Sequence, residues 1–361
     1  MMKSIIFIGD FLVECESHLK FSAVSELFSG VDTVICNFEG VLKNGCVPIV
    51  KAGPVVFQHS ASIDLLKSMG ITACTNCNNH TYDFGEKALM GTEEALRASG
   101  IQVLGAESEG SQVLGIDEKI MIILACETHP VEIENELISP FPEYMRLFST
   151  KLLERITNAK TDGFTVIVSV HAGLEMVDIP LSNIRARYRD IVSAGADLVI
   201  GHHPHVPQGF ETFKGKPIFY SLGNFLFHRE SMSEPNVNGM AVRIDFSDSN
   251  FKFTTYRISK STNDAEIVVN LDNFDELNKA LHDTNKYEYM LDQAKIIHGG
   301  IFDSALPLIA RKSLKGWFIV LGNLLIRPFW FFKRRKLLKN LLEKNESYIG
   351  LMHDLAQRGK F

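Results

Sequence analysis

No apolar run in this sequence is long enough to form a transmembrane helix. The uncharged run at residues 316–326 has eleven residues, whereas a helix that spans a bilayer needs roughly 20. The N-terminal run Ile5–Ile8 is too short for the hydrophobic part of a secretion signal, and Gly9 and Asp10 follow it at once. We therefore predict a cytoplasmic protein.

Cysteine is scarce, and its positions do not complete a metal or redox motif. Three of the six cysteines, Cys36, Cys74 and Cys126, fall in apolar runs that we predict to be buried strands. In such strands a cysteine behaves as a small hydrophobic residue. The pair Cys74-x-x-Cys77 lacks the second pair that a zinc site needs. Cysteine usage therefore indicates a reducing compartment and argues against a redox function.

The sequence also lacks an internal repeat, a low-complexity tract and a nucleic-acid recognition motif. We therefore expect no nucleic-acid partner. The 361 residues are 45% hydrophobic and 22% charged, which is ordinary for a globular protein with a large core. This length permits about two domains.

What the sequence does contain is a concentration of histidines at the end of one short apolar run. The run that begins at Leu198 ends in His202-His203-Pro204-His205. Neutral imidazole is the commonest protein ligand of metals, and Pro204 restricts the backbone of the turn. A strand that ends here can direct two imidazoles at one point. We therefore predict a metal site with His203 and His205 as ligands, and expect His202 to point the other way.

Four other apolar runs are followed by residues with carboxylate, amide or imidazole side chains. Each run is short and rich in β-branched residues, which is typical of a buried strand. The runs and the residues that follow them are Ile5–Ile8 with Asp10, Thr33–Cys36 with Asn37 and Glu39, Ile71–Cys74 with Asn78, Asn79, His80 and Asp83, and Thr165–Val170 with His171 and Glu175.

Helical patterns at residues 62–69, 86–98 and 183–193 separate several of these runs. Strands that alternate with helices predict an α/β sheet, and ligands bind such sheets beyond the carboxyl ends of the strands. The polar side chains would therefore converge on one edge. Carboxylate, amide and imidazole ligands together suit Mn, Fe, Zn or Mg better than a thiolate site would. The set is large enough for two divalent ions, which can hold the attacking and leaving oxygens of a phosphoryl transfer.

At these residues the chain resembles the CapA/PgsA group, named for poly-γ-glutamate capsule synthesis, within the calcineurin-like metallophosphoesterase superfamily. The matching motifs occur in the order of that bacterial group, within about residues 4–246. They are Gly9-Asp10, Asn37-Phe38-Glu39, Lys51–Phe57, Asn78–Gly85, His171–Glu175, Gly201–His205 and Tyr220–Phe225. The resemblance implies a four-layer α/β/β/α sandwich with a di-metal centre between the sheets.

The resemblance also implies a role for each candidate residue. Asp10 and His205 would bind the first metal, and Glu39 would lie at the bridging position. The second metal would be bound by Asn79, His171 and His203. His80 would act as general acid or stabilise the transition state, and Asp83 would support it or cap the following helix. The residues expected to orient ligands or contact substrate are Asn37, Asn78, Glu175 and Asn224.

Two motifs depart from the usual pattern of the superfamily. Its first motif is usually Asp-x-His, whereas Asp10 is followed by Phe11 and Leu12. Its second is usually Gly-Asp-x-x-Asp, whereas this chain has Asn37-Phe38-Glu39. The resembled group shares both departures. The first metal is therefore expected to have fewer ligands than in other members of the superfamily.

The last part of the chain changes in character. We predict a CapA-like metallophosphoesterase domain at residues 1–272 and a helical, basic and amphipathic extension at residues 273–361. Residues 311–344 include ten basic residues and one acidic residue, a charge of +9 in a chain of −6. These charges flank Trp- and Phe-rich stretches, which fits a helix lying on an anionic membrane surface at the inner face of the plasma membrane. The alternative is packing on the core or on a partner such as a membrane synthase.

These features predict a metal-dependent phosphoesterase of capsule or surface-polysaccharide metabolism. Its substrate would be a phosphorylated glycan or a lipid-linked intermediate, an expectation that comes from the resemblance. The alternative is a non-hydrolytic accessory subunit of a membrane-associated machinery that synthesises poly-γ-glutamate or polysaccharide.

Overall fold

The computed structural model describes most of the chain. It covers residues 3–16, 19–51, 53–105, 111–114, 117–127, 131–133, 136–138, 141–247, 250–261, 266–309, 346, 347, 351 and 354. The basic segment at 311–344 lies outside the described residues.

Helices separate several of the strands in the first 200 residues of the chain, as the sequence patterns predict. The strands are β1 (Lys3–Val13), β2 (Thr33–Phe38), β3 (Val50–Lys51), β4 (Ala73–Thr75), β5 (Gln102–Leu104), β6 (Ser111–Leu114), β7 (Asp117–Cys126), β8 (Val131–Ile133), β9 (Glu136–Ile138), β10 (Thr165–His171), β11 (Leu198–His202), β12 (Phe210–Phe213), β13 (Lys216–Phe219), β14 (Gly223–His228), β15 (Asn236–Ser247), β16 (Asn250–Lys260) and β17 (Ile267–Leu271). The helices are α1 (Ser22–Phe28), α2 (Ser62–Met69), α3 (Gly85–Ala98), α4 (Thr150–Thr161), α5 (Ser182–Ser193), α6 (Asp275–Ala280) and α7 (Thr284–Ile309).

Two large sheets form the centre of the molecule. The eight-stranded sheet has the order β17-β16-β15-β14-β1-β2-β4-β5, in which β14, β1, β2, β4 and β5 run parallel. The six-stranded sheet has the order β12-β13-β11-β10-β7-β6, in which β13, β11, β10 and β7 run parallel. A small antiparallel sheet consists of β3, β8 and β9. The parallel strands of each large sheet therefore share one carboxyl edge.

The packing of apolar side chains defines four layers. One buried cluster joins the facing sides of the two sheets, with Phe7 and Ile35 from one sheet and Ile122 and Ile200 from the other. A second covers the outer side of the eight-stranded sheet with α1, α2 and α3. A third covers the outer side of the six-stranded sheet with α4 and α5. The predicted α/β/β/α sandwich is therefore confirmed.

Helix α2 shows how local sequence determines an element. Its apolar residues Ile63, Leu66 and Met69 recur on one face and are buried, and a fully buried side chain of this kind contributes about 1.5–3 kcal/mol. Gly70 follows with φ of 86°, a left-handed conformation that commonly ends a helix and that glycine adopts without strain. The predicted bounds, residues 62–69, are those observed.

The predicted helical extension begins with α6 and α7, and both contribute to the core. Leu281, Met290, Leu291 and Ala294 are buried in the cluster on the outer side of the six-stranded sheet. None of the helices in the described ranges combines the length and apolar character that crossing a bilayer requires. The division of the chain near residue 272 stays a prediction.

Candidate metal centre

The predicted site residues meet where the carboxyl edges of the two sheets face each other. Glu39 directly follows β2, Asn79 and His80 lie in the turn after β4, His171 is the last residue of β10, and two histidines follow β11. Asp10 differs from the prediction, because β1 does not end there but continues to Val13. The pairing of β1 with both neighbouring strands is irregular at Asp10. The sheet therefore presents this carboxylate from within a strand.

Two glycines allow the strands at the site to approach closely. A Cβ atom on Gly9 would lie 2.0 Å from the carbonyl oxygen of Gly223, and one on Gly201 would lie 2.0 Å from that of Tyr220. Neither distance can accommodate a side chain. Gly9 and Gly201 each come directly before a polar site residue, so the motifs place a glycine where the backbones converge.

The end of β11 and the turn after it direct all three histidines, His202, His203 and His205, into the site. His203 and His205 have φ values of 98° and 58°, a region that costs energy for residues other than glycine. Along a continuing strand, successive side chains point to opposite faces. The left-handed backbone at His203 and His205 interrupts this alternation. The prediction that His202 points away is therefore wrong, since His202 Nδ1 lies 3.3 Å from Asp10 Oδ1.

Asp10 is fully buried and surrounded by donors. Asn37 Nδ2 donates to Asp10 Oδ1 at 2.8 Å, and the backbone N–H of His203 donates to Oδ2 at 3.3 Å. His205 Nδ1 also lies 3.3 Å from Oδ2. Burial alone would raise the pKa of Asp10, but His202 and His205 outweigh it and hold that pKa well below its ordinary value. Asp10 is therefore a carboxylate, the form that binds a metal.

Glu39 is fully buried, and neither of its carboxylate oxygens accepts a hydrogen bond from any residue that the structure describes. The nearest side-chain nitrogens, His80 Nε2 and His205 Nε2, both lie 3.7 Å from Oε1. Burial raises the pKa of Glu39 to about 8. A buried carboxylate costs free energy unless it is paired or coordinates a metal. The environment of Glu39 therefore fits a metal ligand.

Two groups of side chains in the described chain have a geometry suited to holding a metal ion, and they share His205. One consists of Asp10, Glu39 and His205, the other of Glu175, His203 and His205, and the ligand atoms of each group lie within 4.8 Å of one another. Nδ1 of His203 has no hydrogen-bond partner among the described residues. Glu175, predicted to orient a ligand, is thus a candidate ligand itself. These groups indicate that the centre binds divalent metal.

Asn79 and His171 face each other beside this pair of groups. His171 Nε2 lies 2.9 Å from Asn79 Oδ1, and its Nδ1 lies 3.2 Å from Asn37 Nδ2. The ring of His171 lies 4.8 Å from that of His203. Burial and the neighbouring His203 lower the pKa of His171 well below its ordinary value, so its imidazole is neutral. The structure thus brings both residues next to the other predicted ligands.

His80 is held by a buried ion pair that we did not predict. Its Nδ1 lies 2.7 Å from Asp83 Oδ2, and Lys51 Nζ donates to the other oxygen of Asp83 and to the carbonyl oxygen of Asn79 at 2.9 Å. The backbone N–H of Val56 also donates to Asp83. Asp83 does not cap α3, which has no side-chain cap. Of the two roles foreseen for Asp83, the geometry supports that of orienting His80.

The remaining predicted residues, Asn78 and Asn224, form contacts between the loops of the site. Asn78 Nδ2 donates to the carbonyl oxygen of Phe38 at 2.9 Å, and its Oδ1 accepts from the backbone N–H of His80. Asn224 Oδ1 lies 3.0 Å from His205 Nδ1. Lys51 and His202 were missed as site residues. Lys51 opens one of the matching motifs, and that position was the signal for it.

The metal-free protein is expected to lose stability as the pH rises above about 6.5. Burial raises the pKa of Glu39 from 4.5 to about 8. Burial would lower the pKa of His205, but Glu39 and Asp10 raise it from 6.5 to about 10. The folded protein therefore holds protons that the unfolded chain releases, and its stability falls with pH. Burial lowers the pKa of His203 to about 4, which has the opposite effect, but only below 6.5.

Urea unfolding in EDTA measures this loss, for which we expect on the order of 2 kcal/mol between pH 6.5 and 8.5. The variant Glu39→Gln should show a smaller loss. A free energy of unfolding independent of pH in this range would contradict these protonation states.

Comparison with known proteins identifies the family. The family model described as bacterial capsule synthesis protein PGA_cap matches residues 5–229, well over half of the chain. Capsule biosynthesis protein CapA of Bacillus anthracis is 30% identical over 46% of this chain and 42% of its own length. PGA biosynthesis protein CapA of Bacillus subtilis is 27% identical over 57% and 56%. A probable polyglutamine synthesis accessory protein of Mycobacterium tuberculosis is 27% identical over 47% and 49%.

The chain spans about half the length of these curated relatives. Among solved structures, Vps29 of Chaetomium thermophilum is 12% identical with a TM-score of 0.34, over 75% of this chain and 96% of that one. Vps29 of Entamoeba histolytica complexed with zinc is 14% identical with a TM-score of 0.31, over 74% and 97%. The resemblance to the CapA/PgsA group is confirmed by the family match, and the chain belongs to the bacterial capsule synthesis protein PGA_cap family.

Proposed function

We propose that this protein is a metal-dependent phosphoesterase of capsule synthesis. One observation carries the proposal: Glu39, a buried carboxylate that accepts no hydrogen bond from the described residues, belongs to one of two metal-capable groups that share His205. Structural ion pairs would leave no such unpartnered oxygens. A pair of neighbouring metal positions is the arrangement that two-metal phosphatases use to stabilise the attacking and leaving oxygens of a phosphate ester.

The residues divide naturally between two divalent ions. Asp10, Glu39 and His205 would hold one ion, and His203 and Glu175 would hold the other. Asn79 and His171, which face each other at 2.9 Å, would complete the second position. Bound Mn, Fe or Zn would lower the pKa of a water molecule and neutralise the charge that develops on the phosphoryl oxygens.

His80 would transfer a proton at the leaving oxygen. Asp83 fixes Nδ1, so that Nε2 is directed toward Glu39. Burial and Lys51 lower the pKa of His80, while the carboxylate of Asp83 stabilises the imidazolium whenever Nε2 takes up a proton. Nε2 would therefore accept a proton from the attacking water and donate it to the leaving oxygen of the substrate.

The substrate we propose is a phosphorylated glycan or a lipid-linked phosphate ester. The support is membership of a capsule synthesis family, together with relatives named for capsule and PGA biosynthesis. Both substrates present a phosphate ester to the centre, whereas a polyglutamate chain has no phosphorus for it to act on.

The first test compares metal content and phosphatase activity in the wild type and in His203→Ala. We expect close to two ions per wild-type chain and Mn²⁺-dependent turnover of p-nitrophenyl phosphate or bis-p-nitrophenyl phosphate. His203→Ala should contain less metal and lose turnover, since it removes an imidazole whose Nδ1 has no hydrogen-bond partner among the residues that the structure describes. Turnover by the wild type with no metal bound, or equal activity in both proteins, would rule out the mechanism.

A non-hydrolytic accessory role is the second candidate. It is favoured by the name of the Mycobacterium tuberculosis relative, a synthesis accessory protein. The centre would then bind metal or polymer without hydrolysing an ester. A wild type that binds metal but hydrolyses none of a panel of sugar phosphates and lipid-linked phosphates would favour this role.

Attachment of residues 311–344 to an anionic membrane surface stays a prediction. The support for this prediction is the net charge of +9 that residues 311–344 carry. Replacing Lys333, Arg334, Arg335 and Lys336 by glutamine should abolish flotation with liposomes that contain phosphatidylglycerol, because each basic residue near such a surface contributes about 1 kcal/mol. Equal flotation of both proteins would point instead to packing on the core or on a membrane synthase.

A further inference from the structure

The C-terminal end of the chain returns to the site. The backbone N–H of Ser347 donates to Glu127 Oε1 at 2.7 Å, and its hydroxyl donates to Oε2. Ser347 is fully buried. Glu127 directly follows β7, whose last residue, Cys126, is paired with His171. A residue from the far end of the sequence therefore contacts the strand beside the metal centre.

Three neighbouring residues hold the same segment in place. Asn183 Nδ2 donates to the carbonyl oxygen of Glu346 at 2.7 Å. Leu351 is fully buried in the core on the outer side of the six-stranded sheet. Asp354 accepts hydrogen bonds from Ser182 Oγ at 2.5 Å and from the hydroxyl of Tyr287 at 2.6 Å. We call Glu346, Ser347, Leu351 and Asp354 the C-terminal clamp.

Glu127 connects this clamp to the loop that carries two candidate ligands. Its backbone N–H donates to the carbonyl oxygen of His171 at 3.1 Å. Burial raises the pKa of the Glu127 carboxyl to about 7, and the backbone N–H groups of Ser347 and Gly173 act against that rise. That loop has no regular secondary structure of its own, and Gly173 has φ of 115°. Its other backbone bonds run to the His202 turn, from Ala172 to His202 and from Met176 to Pro204. Glu127 thus contacts the loop on the side opposite the His202 turn.

We propose that the C-terminal clamp, acting through Glu127, positions the loop at residues 171–175 so that His171 and Glu175 can bind metal. The inference rests on the proposed function. The hydrogen bonds from Ser347 engage both carboxyl oxygens of Glu127, and groups that orient metal ligands typically affect metal affinity by 10–100-fold. The metal centre therefore depends on residues that follow the basic segment, beyond the family match at 5–229.

The test uses the full chain with Glu127→Gln, whose side-chain amide has one acceptor oxygen where the carboxylate has two. We expect faster hydrogen–deuterium exchange at residues 172–176 and Mn²⁺ affinity about tenfold weaker by calorimetry. With Co²⁺ in place of Mn²⁺, the visible spectrum of the variant should differ from that of the wild type. Ser347→Ala should change affinity in the same direction, and Ser347→Thr, which keeps the hydroxyl, should restore it.

Ser22→Ala is the matched control, because it removes a serine–glutamate hydrogen bond, Ser22 to Glu266, outside the site. It should change neither exchange in the loop nor Mn²⁺ affinity. Unchanged exchange at residues 172–176 in Glu127→Gln, or faster exchange with unchanged affinity, would overturn the proposal. If Glu127→Gln does not fold, the two Ser347 variants decide. A wild type that binds no Mn²⁺ refutes the proposed function, whereas the exchange result still shows whether the clamp holds the loop.

Discussion

Glu39→Gln is expected to lose bound metal and phosphatase activity together. The carboxylate lies within the group that also contains Asp10 and His205, and none of the described residues donates a hydrogen bond to it. A neutral amide supplies one weak oxygen ligand in place of a charged carboxylate. The loss should exceed the roughly 10–100-fold that follows removal of an outer-shell partner.

The same substitution should stabilise the metal-free protein at pH 8.5, because it removes a buried charge without a partner. Metal analysis, turnover of p-nitrophenyl phosphate and urea unfolding measure the three effects. Glu14→Gln is a suitable control, since Glu14 is a buried carboxylate at the end of β1 that already has partners in Arg229 and the backbone of Glu230. A Glu39→Gln protein with normal metal content would mean that Glu39 is not a ligand.

His80→Gln is expected to lower turnover by roughly 10²–10⁴-fold, the usual contribution of a general acid or base, while metal content stays unchanged. His80 is outside both metal-capable groups of described residues. Its Nε2 is nonetheless directed toward Glu39, because Asp83 and Lys51 hold the other side of the ring. Substitution of His80 should therefore lower turnover without changing metal binding.

Single-turnover kinetics with saturating Mn²⁺ test this prediction. The exposed His282, which lies outside the site, gives a matched control in His282→Gln. Asp83→Asn should lower turnover less than His80→Gln, because it weakens the orientation of the ring but retains Nε2. Loss of metal in His80→Gln would make His80 a ligand, and unchanged turnover would favour the accessory role.

Much of the centre is predictable because each candidate ligand is defined by its local sequence. A short β-branched run makes a buried strand, and the polar residue after it lies at the carboxyl edge whatever the rest of the chain does. This reasoning applies to Glu39, His171 and the His203–His205 turn. It does not apply to Asp10, since an irregularity in β1 and the close approach of Gly9 to Gly223 present that carboxylate within the strand.

Contacts between distant segments could not be predicted from local sequence. Lys51 is 32 residues from Asp83, and His203 is 193 residues from Asp10. Their partners depend on how two sheets face each other, which no local pattern encodes. The orientation of His202 depended on the left-handed backbone at His203, and a histidine in that conformation has no marker in the sequence.

The sequence by itself therefore determined the layered α/β architecture, the bounds of helices such as α2 and the chemical types of the ligands. Hydrophobic periodicity and residue chemistry are local properties, and they survive in any fold that buries the same strands. Only the tertiary structure decided that Glu39 accepts no hydrogen bond from the described residues, that Lys51 and Asp83 hold His80, and that Ser347 reaches Glu127. Those facts arise from the packing of two sheets and a returning C-terminal segment, where residues far apart in the chain are enclosed together.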